Sequence, residues 1–362
     1  MKKKIAILTQ PLGVNYGGII QNYALQTVLK KMGYDPITIN RWNNLNHSWF
    51  KKNKYYFKIH NIFYRGNFNF LKNHIKLTQK LDSDAKFYKH FEKNKYDAYV
   101  VGSDQTWRPK YSPNIKNYFL DFLKDKKDDV SKKIAYASSF GTSDWEYTGE
   151  QAKMATEMIK QFDAVSVRED AAVQLVENHL DYKAELVVDP TMLLSPADYR
   201  QLYKNSNLPK REGAFVYVLD TANGKNEIIQ KIAGFLNLHT FRNQPPAPVS
   251  GKKESIKNRT YPPMETWVKA FDDAEFVVTD SFHGTVFSIL YNKPFIAIVN
   301  KSRGSSRFIS LLKQFGLENR LINDISDLSD ALLLEKIDFS VVNQNLEVLR
   351  DSSHQFLKNN LD

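Results

Sequence analysis

The sequence contains no cysteine, which excludes disulfide frameworks, Cys-ligated zinc, iron–sulfur clusters and a thiolate nucleophile. No apolar run approaches the roughly 18 residues that a membrane-spanning helix needs. The opening Met1-Lys2-Lys3-Lys4 carries the charge of a signal-peptide start. The apolar stretch behind it stops at Thr9, too short for the hydrophobic region of such a peptide, so a cytoplasmic protein is expected. The eight histidines are scattered, without H-E-x-x-H or paired acidic spacing, and no metal is expected. The G-x-S-x-G elbow of a Ser-His-Asp hydrolase is missing. So is the dinucleotide fingerprint, because the second predicted strand ends in Asn40-Arg41 rather than in an acid.

What is present describes a folded enzyme-sized chain. Its 362 residues are 42% hydrophobic and 13% aromatic, a composition that excludes wholesale disorder. The length suggests two domains. Net charge is +11, and it is concentrated: residues 41–95 hold 13 Lys+Arg against 3 Asp+Glu, together with 13 aromatic residues. Basic charge interleaved with rings suits nucleic acid, anionic lipid head groups or a phosphorylated substrate. It equally suits a solvated helical hairpin with aromatic core positions.

Short β-branched or aromatic runs alternate with amphipathic patterns. Strands are predicted at Lys4–Leu8, Pro36–Ile39, Ala98–Val101, Lys133–Ala137, Ala164–Val167, Glu185–Val188, Ala214–Leu219, Phe276–Thr279 and Phe295–Val299. The first helix is predicted to begin near Gly18 and to stop at Gly33. Strands separated by helices imply parallel sheets with crossover connections. The expected fold class is α/β, with two Rossmann-like domains facing a central cleft. The expected divisions are an N-terminal domain over 1–190 carrying 41–95 as an insertion, a C-terminal domain over 191–340, and a closing helix over 341–362. Residues 190–212 are the candidate hinge, and Asn243–Lys257 reads as a loop.

In such folds ligands gather beyond the carboxyl ends of the strands. After the first strand, Asn15-Tyr16-Gly17-Gly18 leads into a helix, where glycines permit close backbone approach and free N–H groups suit an anion; ordinary turn chemistry explains them too. After Val101 comes Gly102-Ser103-Asp104-Gln105-Thr106-Trp107. Its carboxylate and amides suit sugar hydroxyls and its indole a pyranose face. The structural alternative is a helix start capped by Ser103 or Asp104. Ser138-Ser139-Phe140-Gly141 is a weaker case of the same kind. Arg168, at a strand end, can grip a carboxylate or phosphate bidentately or form a salt bridge. Thr279-Asp280-Ser281-Phe282-His283-Gly284 closes an apolar strand with a histidine able to act as a general acid. Arg303 and Arg307, set among small residues, form a candidate anion clamp.

Taken in order, Ile5–Leu29, the Gly102–Trp107 segment, Val165–Glu169, Val188-Asp189-Pro190-Thr191, Thr279–Gly284 and Ser306-Arg307-Phe308 resemble the polysaccharide pyruvyl transferase family. The resemblance covers most of the chain outside 41–95. It implies a GT-B-like fold and transfer of a pyruvyl group from phosphoenolpyruvate to a sugar of a cell-surface glycan precursor, as a cyclic ketal. No cofactor beyond that donor is implied. The family often has Arg-Leu-His where this chain has Ser281-Phe282-His283; the histidine carries over and the arginine does not. Donor binding is therefore expected of Arg168, Ser281, Phe282, His283, Gly284, Arg303 and Arg307, with His283 as acid and Arg168 beside it in catalysis. Asn15, Tyr16, Gly17, Gly18, Ser103, Asp104, Gln105 and Trp107 are expected to face the acceptor. A lipid-linked acceptor would bring the basic 41–95 segment to the inner face of the cytoplasmic membrane. Two other classes compete: a nucleotide-sugar glycosyltransferase of GT-B fold, and a polyanion-binding module built on 41–95. The latter leaves Arg168 and His283 unexplained.

Overall fold

A computed structural model describes residues 2–42, 62–124, 126, 129–220, 224–245, 259–300 and 304–362. The chain divides into two compact units. The first comprises Met1–Lys58, Leu71–Leu193 and Val348–Asp362; the second comprises Ile59–Phe70 and Leu194–Glu347.

The first unit is built on a six-stranded, wholly parallel sheet in the order β2-β1-β3-β4-β5-β6. Its strands are β1 (Lys4–Leu8), β2 (Asp35–Thr38), β3 (Ala98–Val101), β4 (Lys132–Ser138), β5 (Ala164–Val167) and β6 (Glu185–Leu186). Every residue of β3 is buried, the pattern of a parallel strand covered on both faces. Between β1 and β2 runs α1 (Tyr16–Lys31). It starts two residues earlier than Gly18 because the Asn15 side chain caps it, accepting from the Gly17 N–H at 3.1 Å. Gly33, at φ 95°, follows its last turn. Buried Gln26 donates to Thr38 Oγ1 and to the Lys76 carbonyl, both at 2.8 Å, tying β2 to the segment beyond it.

The described part of the basic stretch contains α2 (Arg65–His74) and α3 (Asp84–Lys93). Phe70, Phe87 and Phe91 are buried, whereas Lys72, Lys76, Lys80, Lys86, Lys89, Lys93 and Lys95 are exposed. Aromatic rings inside and ammonium groups outside are what an amphipathic helix requires. Of these helices, α2 belongs to the second unit up to Phe70 and to the first from Leu71. The first unit also contains α4 (Gly149–Ile159) and α5 (Asp170–Leu180).

The second unit carries a five-stranded parallel sheet in the order β11-β10-β9-β7-β8. Its strands are β7 (Ala214–Tyr217), β8 (Thr240–Phe241), β9 (Phe276–Thr279), β10 (Phe295–Ile298) and β11 (Leu321–Ile322). The two-residue edge strands β8 and β11 were not expected from the sequence, since two residues show no periodicity. The helices are α6 (Pro196–Arg200), α7 (Lys225–Phe235), α8 (Met264–Asp273), α9 (Phe282–Leu290), α10 (Ser306–Lys313) and α11 (Asp330–Leu334). The last helix, α12 (Phe339–Leu361), begins in the second unit, and its residues from Val348 belong to the first. Among the described residues, no helix is long and apolar enough to cross a membrane.

Strand order locates the crevices. In the first sheet the chain leaves β1 toward β2 and returns on the other side as β3; in the second it leaves β7 toward β8 and returns as β9. These are topological switch points, where adjacent loops part and leave room for a ligand. The registers Leu8↔Val101 and Tyr217↔Thr279 set the paired strand ends level. The loops opening at Thr9 and Gly102, and those opening at Val218 and Asp280, therefore start side by side.

Candidate functional site

In the first unit the two switch-point loops are stitched together. Thr9 Oγ1 donates to the Ser103 carbonyl at 2.8 Å and accepts from Gln21 Nε2 at 2.9 Å. Gln10 Nε2 donates to the Gln105 carbonyl at 2.6 Å. Gly102 has φ +129°, and a Cβ there would lie 2.0 Å from the Tyr136 carbonyl oxygen, so only glycine fits. The turn delivers Asp104, itself at φ 74°, toward the start of α1. A Cβ on Gly18 would lie 3.6 Å from Asp104 Oδ2 and 3.7 Å from Asn15 Nδ2. The missing side chain at Gly18 thus leaves a small polar cradle between Asn15 and Asp104. The half-buried Gln105 side chain turns instead to Arg108, its Oε1 accepting from Nη1 at 3.1 Å, and occupies the space of a Cβ on Gly141, which would lie 1.9 Å from that oxygen. No helix starts at this segment, so the capping alternative for Ser103 and Asp104 falls away. Tyr16, Gly17 and Ser103 are buried.

Two expectations are corrected here. Trp107 is fully buried, donates from Nε1 to the Tyr118 carbonyl at 3.0 Å and stacks on Phe119 at 5.2 Å. An indole enclosed on all sides is a core residue and cannot receive a sugar. Arg168 is likewise enclosed: its Nη1 lies 2.6 Å from Asp189 Oδ2, its Nη2 3.0 Å from Asp104 Oδ1 and its Nε 3.9 Å from Glu169 Oε2. Burial pulls its pKa down, but the three carboxylates outweigh that and hold it above the ordinary value. A guanidinium already facing three carboxylates is matched, and it aims Asp104 rather than gripping a donor. Glu169 turns its other oxygen to Ser139 Oγ at 2.7 Å and to the N–H groups of Phe140 and Gly141. The Ser138–Gly141 turn therefore spends its donors internally, on the Glu169 carboxylate.

In the second unit, Ser281 is the N-cap of α9, accepting from the Gly284 N–H at 3.4 Å. His283 thereby falls in the first helical turn, at the end of β9. Gly284 has a steric cause: a Cβ would sit 2.2 Å from Thr279 Oγ1. That hydroxyl donates to the Tyr217 carbonyl at 2.7 Å and accepts from the Ser281 N–H at 3.1 Å. Phe282 stands edge-to-face with His283, ring centroids 5.3 Å apart, and the Arg307 guanidinium lies 5.5 Å from the Phe282 ring centre. The sequence-predicted His283, Phe282 and Arg307 thus form one cluster, with His283 and Arg307 each 5% exposed. Both sit in first turns of helices, whose free N–H groups favour anions. Arg303 lies outside the described residues.

Sequence reasoning missed a second set of residues at the same strand ends. Asp220 follows β7, Lys225 opens α7 and Asn300 follows β10, and all three join Asp280 in one hydrogen-bonded network. The available signal was an acid behind a predicted strand and a lysine behind Gly224. Among the described residues, no three His, Asp or Glu side chains gather as metal ligands.

Two parallel α/β units, each with polar groups at its switch point, define a protein of the GT-B fold. The kitacinnamycin glycotransferase is similar at 11% identity and TM-score 0.55, each chain covered in full (100%). The UDP-GlcNAc 2-epimerase of Methanocaldococcus jannaschii, in complex with UDP-GlcNAc and UDP, is similar at 13% identity and TM-score 0.53, over 96% of this chain and 99% of that one. Arabidopsis thaliana UGT89C1, complexed with UDP-L-rhamnose, is similar at 9% identity and TM-score 0.52, over 99% and 95%. Within that fold the chain belongs to the polysaccharide pyruvyl transferase family, whose model matches residues 15–302. No curated protein matches it.

Proposed function

We propose that this transferase moves a pyruvyl group from phosphoenolpyruvate onto two hydroxyls of a glycan precursor, forming a cyclic ketal and releasing phosphate. The observation that carries the reading is the cluster of His283, Phe282 and Arg307 at the carboxyl edge of the second sheet. The reaction needs a proton on the methylene carbon of the donor, which leaves an oxocarbenium-like centre at C2. One sugar hydroxyl attacks that centre, and a second displaces phosphate. His283 supplies the proton. Arg307 and the N-terminal turns of α9 and α10 hold donor anionic groups, a task shared with Arg303; Ser281 and Gly284 set the turn. Asn15 and Asp104, around Gly18, recognise acceptor hydroxyls, together with Gln105 one residue on.

Phosphate release from phosphoenolpyruvate, measured with candidate oligosaccharides, tests the assignment. Replacing His283 with Ala should lower turnover by roughly 10²–10⁴-fold, the usual worth of a general acid. Thermal stabilisation by phosphoenolpyruvate should survive the change. Near-wild-type turnover in His283→Ala overturns the role of His283. Stabilisation by UDP- or GDP-sugars but not by phosphoenolpyruvate would make the protein a nucleotide-sugar glycosyltransferase instead.

A further inference from the structure

Lys225, the first residue of α7, is only 2% exposed. Its Nζ donates to Asp280 Oδ2 at 2.6 Å and to Asp220 Oδ1 at 2.7 Å. Asn300 Nδ2 donates to the same two carboxylates, at 2.8 Å to Asp220 Oδ2 and 3.1 Å to Asp280 Oδ2. The Leu219 N–H closes the set on Asp280 Oδ1 at 2.7 Å. Asp280 is thus held from behind β7, from the start of α7 and from behind β10. Its own chain reaches the cap Ser281 one residue on and His283 three residues on.

A buried ion pair is a weak source of stability, because desolvation offsets the attraction and an apolar pair often serves as well. Its particular contribution is direction: three donors from three segments leave Asp280 one orientation. We propose that Lys225 is a positioning residue for the transfer reaction, acting through Asp280 to fix the turn that carries His283. The inference rests on His283 being the acid. A reacting group displaced by about 1 Å loses on the order of 10²-fold in rate, and that is the expected loss of kcat in Lys225→Met. The KM for phosphoenolpyruvate should stay nearly constant.

Three comparisons separate positioning from mere support. Neutralising both partners, in Lys225→Met/Asp280→Asn, should return the denaturation midpoint toward wild type while kcat stays low. In a His283→Ala background, Lys225→Met should cost no further activity, although its effect on stability persists. The ring nitrogen signals of His283, observed by NMR at one pH, should move in Lys225→Met and stay in place if Lys225 serves stability alone. Recovery of kcat together with stability in the double variant overturns the proposal, as does a further loss of activity in the His283→Ala background. If Lys225→Met does not fold, Lys225→Arg and the double variant carry the same comparison. An inactive His283→Ala beside a fully active Lys225→Met defeats this inference alone. An active His283→Ala defeats the functional reading beneath it.

Discussion

Arg168 is the residue whose reading the structure changes most, and its replacement by Met gives a quantitative test. The variant leaves Asp104, Asp189 and Glu169, which stand 3.0, 2.6 and 3.9 Å from the guanidinium, without their shared cation. Breaking a buried pair by removing one partner costs about 3–5 kcal/mol. At roughly 2–4 °C per kcal/mol for a unit of this size, Tm should fall by on the order of 10 °C. The sign of the pH dependence follows from the same cause. With the cation gone, the buried carboxylates keep their desolvation cost without the attraction that offset it, and protonation relieves that cost. The variant then binds protons more readily folded than unfolded, so its deficit is full at about pH 8 and shrinks toward about pH 5. Urea unfolding of both proteins at the two pH values measures this. A deficit below about 1 kcal/mol, accompanied by loss of stabilisation by phosphoenolpyruvate, would refute the reasoning and return Arg168 to the donor.

Two further perturbations test the packing around the candidate residues. Gly284→Ala drives a Cβ to 2.2 Å from Thr279 Oγ1 and should cost about 1–3 kcal/mol, part of it recovered in Gly284→Ala/Thr279→Ala; a neutral single variant in urea unfolding would contradict the close approach. Arg108 grips Glu146 with two bonds of 2.8 and 2.9 Å; these bonds chiefly hold the Glu146 carboxyl below its ordinary range, against a smaller opposing effect of burial. A lowered folded-state pKa gives stability that is complete above the ordinary Glu value and lost as pH falls through the lowered one. Glu146→Gln should therefore cost about 1 kcal/mol or less at neutral pH, solvent screening included, and nothing in strong acid. A cost that is independent of pH would contradict the pairing.

Much of the scaffold was legible because parallel strands covered on both faces announce themselves as apolar runs. β3, β5 and β9 lie where the sequence puts them, and the motifs Gly102–Trp107 and Thr279–Gly284 follow two of them. What was not legible depends on partners distant in sequence. Asp104 and Asp189 lie 64 and 21 residues from Arg168, and nothing local says that an arginine at a strand end meets both. Trp107 looked like a platform because a loop tryptophan beside polar residues has the same sequence signature whether it faces solvent or Phe119. Nothing local marks Lys225, because its partner Asp280 lies 55 residues on. Burial of charge is a property of the assembled strand ends, and the sequence carries only its components.

The central claim concerns where the donor's carbon goes. Phosphoenolpyruvate isotopically labelled at C2, incubated with the protein and an acceptor oligosaccharide, should yield a glycan whose NMR spectrum shows the label at a ketal carbon bonded to two sugar oxygens. Free phosphate should appear in equal amount, and both products should vanish in His283→Ala. Phosphate released with the label recovered as free pyruvate, or a glycosidic product formed from a nucleotide sugar, would contradict the account.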